Sequence, residues 1–223
     1  MRLILLGLPG AGKGTQANNI AERHRLLHVS TGDMFREAAA NATNLGKRAQ
    51  EYMARGALVP DEVTIGMLLE RIARLDAAPG FTLDGFPRTI PQAEALDAAL
   101  TDGEASIDAV LYLQVPEQDL MIRLTGRWTC PQCGAIYHEL HSPPQRDGFC
   151  DNCSDTELTQ REDDRADTVQ KRLDVNRKQT EALAEYYEHA GKLLPVDGVG
   201  DPSEVTERLL TALERVSVTA RKA

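Results

Sequence analysis

The segment GLPGAGKGT, residues 7–15, follows directly on the apolar run LILL at residues 3–6. A phosphate-binding loop reads G-x-x-x-x-G-K with Ser or Thr next, after a strand and at the start of a helix. Gly7, Gly12 and Lys13 match, but Gly14 follows the lysine and the hydroxyl arrives one place late, at Thr15. Gly7, Gly10, Gly12 and Gly14 let backbone N–H groups close on phosphate oxygens. A helix starting near Lys13 adds its positive end, and Lys13 itself reaches the transferring phosphate. The plain alternative is a glycine-rich turn without function, against which stand the preceding strand, the following helix and the spacing. The late Thr15 implies that Mg²⁺ is held mainly through water and the nucleotide, as suits an ion that gives up its hydration shell reluctantly.

Outward from the loop, short apolar runs alternate with helical patterns. RLILL (2–6), LLHVS (26–30), GFTLD (80–84), AVLYLQV (109–115) and KLLPVD (192–197) read as buried strands. The clearest helix is 61–78, with Asp61 as N-cap candidate after Pro60, and Ile65, Leu68, Leu69, Ile72 and Leu75 at helical spacing. Strands alternating with helices imply an α/β fold whose five-stranded parallel sheet is covered on both faces. Two stretches break the rhythm: a polar helical one at 30–59, and 127–164, which carries all four cysteines. Both read as insertions into one core made of 1–29, 60–126 and 165–223.

Composition excludes several function classes. The 223 residues include 25 Lys and Arg against 34 Asp and Glu, a net charge of −9, so no basic excess favours nucleic acid or an anionic membrane. An anionic ligand needs a local cluster of cations instead. Leu3–Leu8 behind Arg2 imitates a signal peptide, but Gly7 interrupts it and Lys13 stands where a small-residue cleavage site belongs. With no membrane-length apolar run, the chain reads as soluble and cytoplasmic.

Cys130-Pro-Gln-Cys133 and Cys150-Asp-Asn-Cys153 are two C-x-x-C knuckles separated by sixteen residues, within the range of a four-thiolate zinc site. Four sulfur ligands leave no position for water, so Zn²⁺ there is structural and ties together a loop poor in apolar residues. Iron fits similar knuckles, and two disulfides fit the cysteine count but not a cytoplasmic protein. His138 and His141 are spare ligands at most, and His138 is read as part of the insertion's own packing.

The G-x-P-G-x-G-K-G-T form resembles that of adenylate kinases and their nucleoside monophosphate kinase relatives. STGDMFR (30–36) and DGFPRT (84–89) with Gln92 resemble that family's monophosphate-binding signatures. The similarity continues through GRW (126–128), IYH (136–138), DDRADTVQKRL (163–173) and VDG (196–198), covering nearly the whole chain. It implies a monophosphate-binding insertion at 30–59, a lid at 127–164 in the four-cysteine form that binds zinc, and the Mg²⁺-dependent reaction ATP + AMP = 2 ADP by a cytoplasmic monomer.

The resemblance also distributes roles. Gly10, Ala11, Gly12, Lys13, Gly14 and Thr15, with Arg127, Ile136, Tyr137 and Gly200, border ATP. Thr31, Arg36, the backbone of Ala57, Leu58 and Val59, then Gly85, Phe86, Pro87, Arg88 and Gln92 surround AMP. Arg123, Arg127, Arg161 and Arg172 face phosphates or the adenine of ATP. On chemistry alone, Arg36 and Arg88 suit a second phosphate clamp because a guanidinium fork binds two oxygens in parallel. Arg88 stands just past a strand end, where open α/β sheets place ligands. Gln92 carries the donor and acceptor that read an adenine edge, and Asp84 is the partner for hydrated magnesium or, more plainly, a cap of the next turn. Arg161 within REDDR reads, taken alone, as a solvated mixed-charge face. Tyr186 and Tyr187, on a long helix ending near Gly191, read as packing, and His24, His28 and His189 receive no role. The rivals are a kinase of UMP, CMP or GMP, disfavoured by Thr31 and Gln92, and a nucleotide-gated zinc-ribbon module binding nucleic acid.

Overall fold

The computed structural model describes residues 1–73, 80–153 and 155–220, excluding the side chains of 73 and 215–220. In chain order, β1 (Arg2–Leu6) and α1 (Lys13–His24) are followed by β2 (Leu27–Ser30), α2 (Thr31–Ala40), α3 (Asn44–Ala54) and α4 (Asp61–Ala73). Then come β3 (Phe81–Asp84), α5 (Ile90–Asp102), β4 (Ala109–Gln114), α6 (Glu117–Thr125), β5 (Arg127–Thr129) and β6 (Ile136–His138). A 3₁₀ turn (Glu162–Asp164), α7 (Ala166–His189), β7 (Leu193–Asp197) and α8 (Pro202–Ala220) complete the described chain.

Five strands form a parallel sheet in the order β2-β3-β1-β4-β7, each coinciding with an apolar run of the sequence to within one residue. Because successive side chains point to opposite faces, Leu3 and Leu5 pack with α1, α6 and α8, while Ile4 and Leu6 pack with α4, α5 and the second half of α7. A sheet buried on both faces explains why β1 reads as a continuous apolar run and does not alternate. Pro195 lies on the edge strand β7, where a missing N–H breaks no ladder. No helix among the described residues is long and apolar enough to cross a membrane.

One expectation needs correction. Asp61 is the first residue of α4 and not its cap: the Pro60 carbonyl accepts the first helical bond, from Thr64 N at 3.1 Å. The Asp61 carboxylate is instead engaged by Thr89 and Gln92 of the next helix. The helical reading to residue 78, Leu75 included, extends into positions outside the described residues. Between β2 and α4 the chain is helical, as α2 and α3, and between α6 and α7 it forms the antiparallel pair β5–β6 with bridges Thr129–Thr159 and Phe149–Glu157.

Candidate active site

The loop after β1 turns through left-handed glycines. Gly10 has φ 84° and an added Cβ would lie 2.9 Å from Leu124 Cγ, so both conformation and space require glycine. Gly12 caps α1 at φ 90°, and a Cβ there would meet nothing within 4 Å: the cap faces open space at a helix N-terminus. Lys13 Nζ folds back onto the loop, donating to the carbonyls of Gly7 (2.8 Å) and Leu8 (3.0 Å). Burial lowers its ammonium from 10.5 to about 8; Asp84 opposes the shift, and Arg88, Arg172 and Arg127 add to it.

A cleft of about 670 Å³ opens at the carboxyl ends of the strands. It brings Gly10, Gly12, Lys13, Gly14 and Thr15 together with Asp84, Gly85, Pro87, Arg36, Arg88, Arg123, Arg127, Arg161 and Arg172. The segment between α6 and α7 contributes Ile136 and Tyr137. A tighter adjoining pocket, with about 50 Å³ of free space, is bordered by Thr31, Ala57, Leu58, Val59 and Gln92. Arg36, Arg88 and Arg172 line both spaces. Three sequence candidates do not border these two spaces: Ala11 and Phe86 have their side chains in the two cores, and Gly200 lies beside Glu204 and Arg208.

The arginines divide by their partners. Arg127 grips Asp164 with two bonds, 2.7 and 2.6 Å, and Arg172 reaches the same carboxylate at 2.8 Å and Asp163 at 2.9 Å. Arg36 pairs with Asp33 one helical turn earlier. Arg123 donates to Gly198 O at 3.1 Å, and Arg88 uses Nε on Gly85 O at 2.9 Å. Among the described residues neither Arg88 nor Arg161 forms an ion pair, and Arg161 Nε is buried without a partner. Burial lowers both guanidiniums to about 10, with neighbouring arginines adding to the effect.

REDDR is therefore only in part a solvated face: Glu162 and Arg165 are exposed, whereas Asp164 is fully buried and Asp163 nearly so, each neutralising cleft arginines. Sequence reasoning assigned no role to Asp33, Asp163 or Asp164, although the adjacent acids beside an arginine-rich segment carried a signal, and it read Asp61 only as a helix cap. It also passed over His28, which lines the cleft with Nε2 buried and unpartnered.

In the same segment between α6 and α7, Cys130, Cys133, Cys150 and Cys153 are free thiols whose sulfurs lie within 4.8 Å of one another, Cys133 and Cys150 at 3.6 Å. A tetrahedron of 2.3 Å zinc–sulfur bonds spaces its sulfurs by about 3.8 Å, so the donor set fits zinc. The hydrogen bond from Tyr137 is the first cause holding the Cys150 thiol down at about 6. His138 points away from this cluster: Nδ1 accepts from the N–H groups of Leu140 and His141, leaving Nε2 to donate to Ile122 O at 3.1 Å. It ties β6 to α6, in line with the packing role read from the sequence.

Comparison with known proteins bears directly on this geometry. The adenylate kinase family model matches residues 5–192. The chain belongs to the adenylate kinase family. A Staphylococcus epidermidis protein named adenylate kinase is 51% identical over 216 residues, covering 97% of this chain and all of the relative. A Staphylococcus aureus adenylate kinase is 50% identical over the same coverage. Family membership accounts for a phosphate loop and a second, arginine-bordered pocket on one sheet.

Proposed function

We propose that the protein catalyses reversible transfer of the terminal phosphoryl group of ATP to AMP, giving two ADP and maintaining adenine nucleotide balance in the cytoplasm as a monomer. The observation that carries this reading is the pair of adjoining spaces sharing Arg36, Arg88 and Arg172. Guanidiniums common to both suit two phosphorylated substrates meeting end to end. ATP would lie along the loop and lid, and AMP in the pocket of Thr31, Ala57–Val59 and Gln92. That pocket is nearly filled, so segment 30–59 must swing from the core to admit AMP, while 127–164 closes over ATP and excludes water, a competing acceptor.

The attacking phosphate oxygen is already ionised at neutral pH, so no general base is required, and catalysis reduces to positioning and charge neutralisation. Lys13 would exchange the carbonyls of Gly7 and Leu8 for the transferring phosphate. Arg88 and Arg161, unpaired by carboxylates, would bind phosphate oxygens, while Arg123, Arg127 and Arg172 hold their places through protein partners. Mg²⁺ bound with the nucleotide would supply further neutralisation, and Asp84 at the end of β3 would hold it through water. Zn²⁺ in the four thiolates would supply folding free energy to the lid. A coupled assay with ATP and each of AMP, GMP, CMP and UMP, beside a nucleic-acid titration, tests the reading. AMP is expected to be strongly preferred; equal turnover with a pyrimidine monophosphate would overturn it.

A further inference from the structure

Gln92 is 1% exposed, and its usefulness depends on which way round its amide stands. The two orientations have nearly the same shape but exchange donor for acceptor. Adenine presents the N6 donor beside the N1 acceptor, whereas guanine presents the O6 acceptor beside the N1–H donor. A fixed amide reading that edge therefore complements one purine and opposes the other.

We infer that Asp61 is a specificity-determining positioning residue that locks the Gln92 amide in a single orientation and thereby sets the choice between adenine and guanine. This rests on the proposed AMP site. Gln92 Oε1 accepts from Arg88 N at 2.8 Å, and that N–H can only donate. Gln92 Nε2 donates to Asp61 Oδ1 at 2.7 Å, and an ionised carboxylate can only accept. Reversing the amide would set donor against donor at Arg88 and acceptor against acceptor at Asp61, around a Gln92 side chain that is itself buried. The carboxylate is itself held: Asp61 Oδ2 accepts from Thr89 Oγ1 at 2.8 Å, and that hydroxyl caps α5 by accepting from Gln92 N. Each end of the amide keeps one unused bonding position, an N–H on Nε2 and a lone pair on Oε1. Asp61 does not line the pocket, so it acts through Gln92.

The test compares kcat and KM for AMP, GMP and ATP in Asp61→Ala and Asp61→Ser, neither of which offers an acceptor-only group to the amide. The ratio of kcat/KM for AMP over GMP is expected to fall by about tenfold or more, with KM for ATP unchanged to within about twofold. Gln92→Leu should lose the same preference, and adding Asp61→Ala to it should cause no further loss in the ratio. A folded Asp61 variant with the wild-type ratio, or an additional loss in the double variant, overturns the inference. So does failure of both Asp61 variants to fold, which would make the residue structural. If Gln92→Leu itself leaves the preference intact, the AMP-site reading fails instead.

Discussion

Asp164→Asn tests how the arginine cluster is held. The carboxylate is fully buried and accepts three hydrogen bonds from two guanidiniums, at 2.7 and 2.6 Å from Arg127 and 2.8 Å from Arg172. At best an amide oxygen keeps the two bonds at the Oδ1 position, and its NH₂ then faces Arg127 Nε, donor against donor. One charge-assisted bond is lost, two keep only the donor's charge, and two largely buried cations lose their common counter-charge. The expected destabilisation is about 3–5 kcal/mol, equivalent to a fall in melting temperature of roughly 10 °C for a chain of this size. Asp163→Asn supplies the contrast. Its carboxylate meets Arg172 at 2.9 Å, and its backbone carbonyl keeps a second contact with that residue at 3.2 Å. Its loss should be nearer to ~1 kcal/mol. Urea unfolding of both variants, checked for an unchanged m-value, measures the difference. Equal small losses would refute the argument that Asp164 is the principal counter-ion.

Other outcomes are expected from the same geometry. Arg88→Lys keeps the charge but loses the fork, so steady-state kinetics should show a higher KM for AMP, a lower kcat, or both, with ATP binding nearly unchanged; equal losses for both nucleotides would make the residue structural. Lys13 in the empty protein falls from 10.5 to about 8, so above pH 8 it must regain a proton to meet ATP: affinity should weaken from pH 7 to 9.5 with proton uptake on binding. The empty fold, which binds that proton less readily than the unfolded chain, should for this group gain stability over pH 8 to 10.5, and a pH-independent affinity in calorimetry would contradict the assignment. Chelation of zinc should lower the melting temperature and leave most activity wherever the metal-free lid stays folded; complete loss of transfer by folded, metal-free protein would place the ion in the chemistry.

The elements most legible in the sequence were those whose cause is local. Apolar runs bounded by turn residues became the five strands of the sheet, because burial on both faces leaves no alternation to confuse the pattern. The glycine loop was legible because its spacing reflects backbone approach and not a distant partner. Four cysteines in two knuckles converged because their chemistry is carried by spacing. What escaped was pairing across the chain. Asp164 lies 37 residues from Arg127, and Asp61 lies 31 from Gln92; nothing local distinguishes such acids from solvated ones. Asp61 looked like a helix cap for that reason, since an acid after proline at a helix start is the usual cap signature, while its actual partners come from α5.

The partners of the cations separate stability from binding. The chain carries net charge −9 yet gathers many cations into one cleft, and their mutual repulsion must be offset when no nucleotide is present. Asp33, Asp163 and Asp164 do this for Arg36, Arg172 and Arg127, fixing those side chains and spending part of their field on the protein itself. Among the described residues Lys13, Arg88 and Arg161 have no carboxylate within ion-pair distance, and burial with like-charge neighbours lowers all three. Burial lowers Arg172 as well, despite its two carboxylates, so what sets the three apart is that an incoming phosphate supplies the counter-charge they do not draw from the protein. Removing the charge at Arg88 or Arg161 should weaken nucleotide binding while stabilising the empty fold. Removing it at Arg127 should destabilise the fold by stranding Asp164, since a buried acid without its bidentate partner is costly.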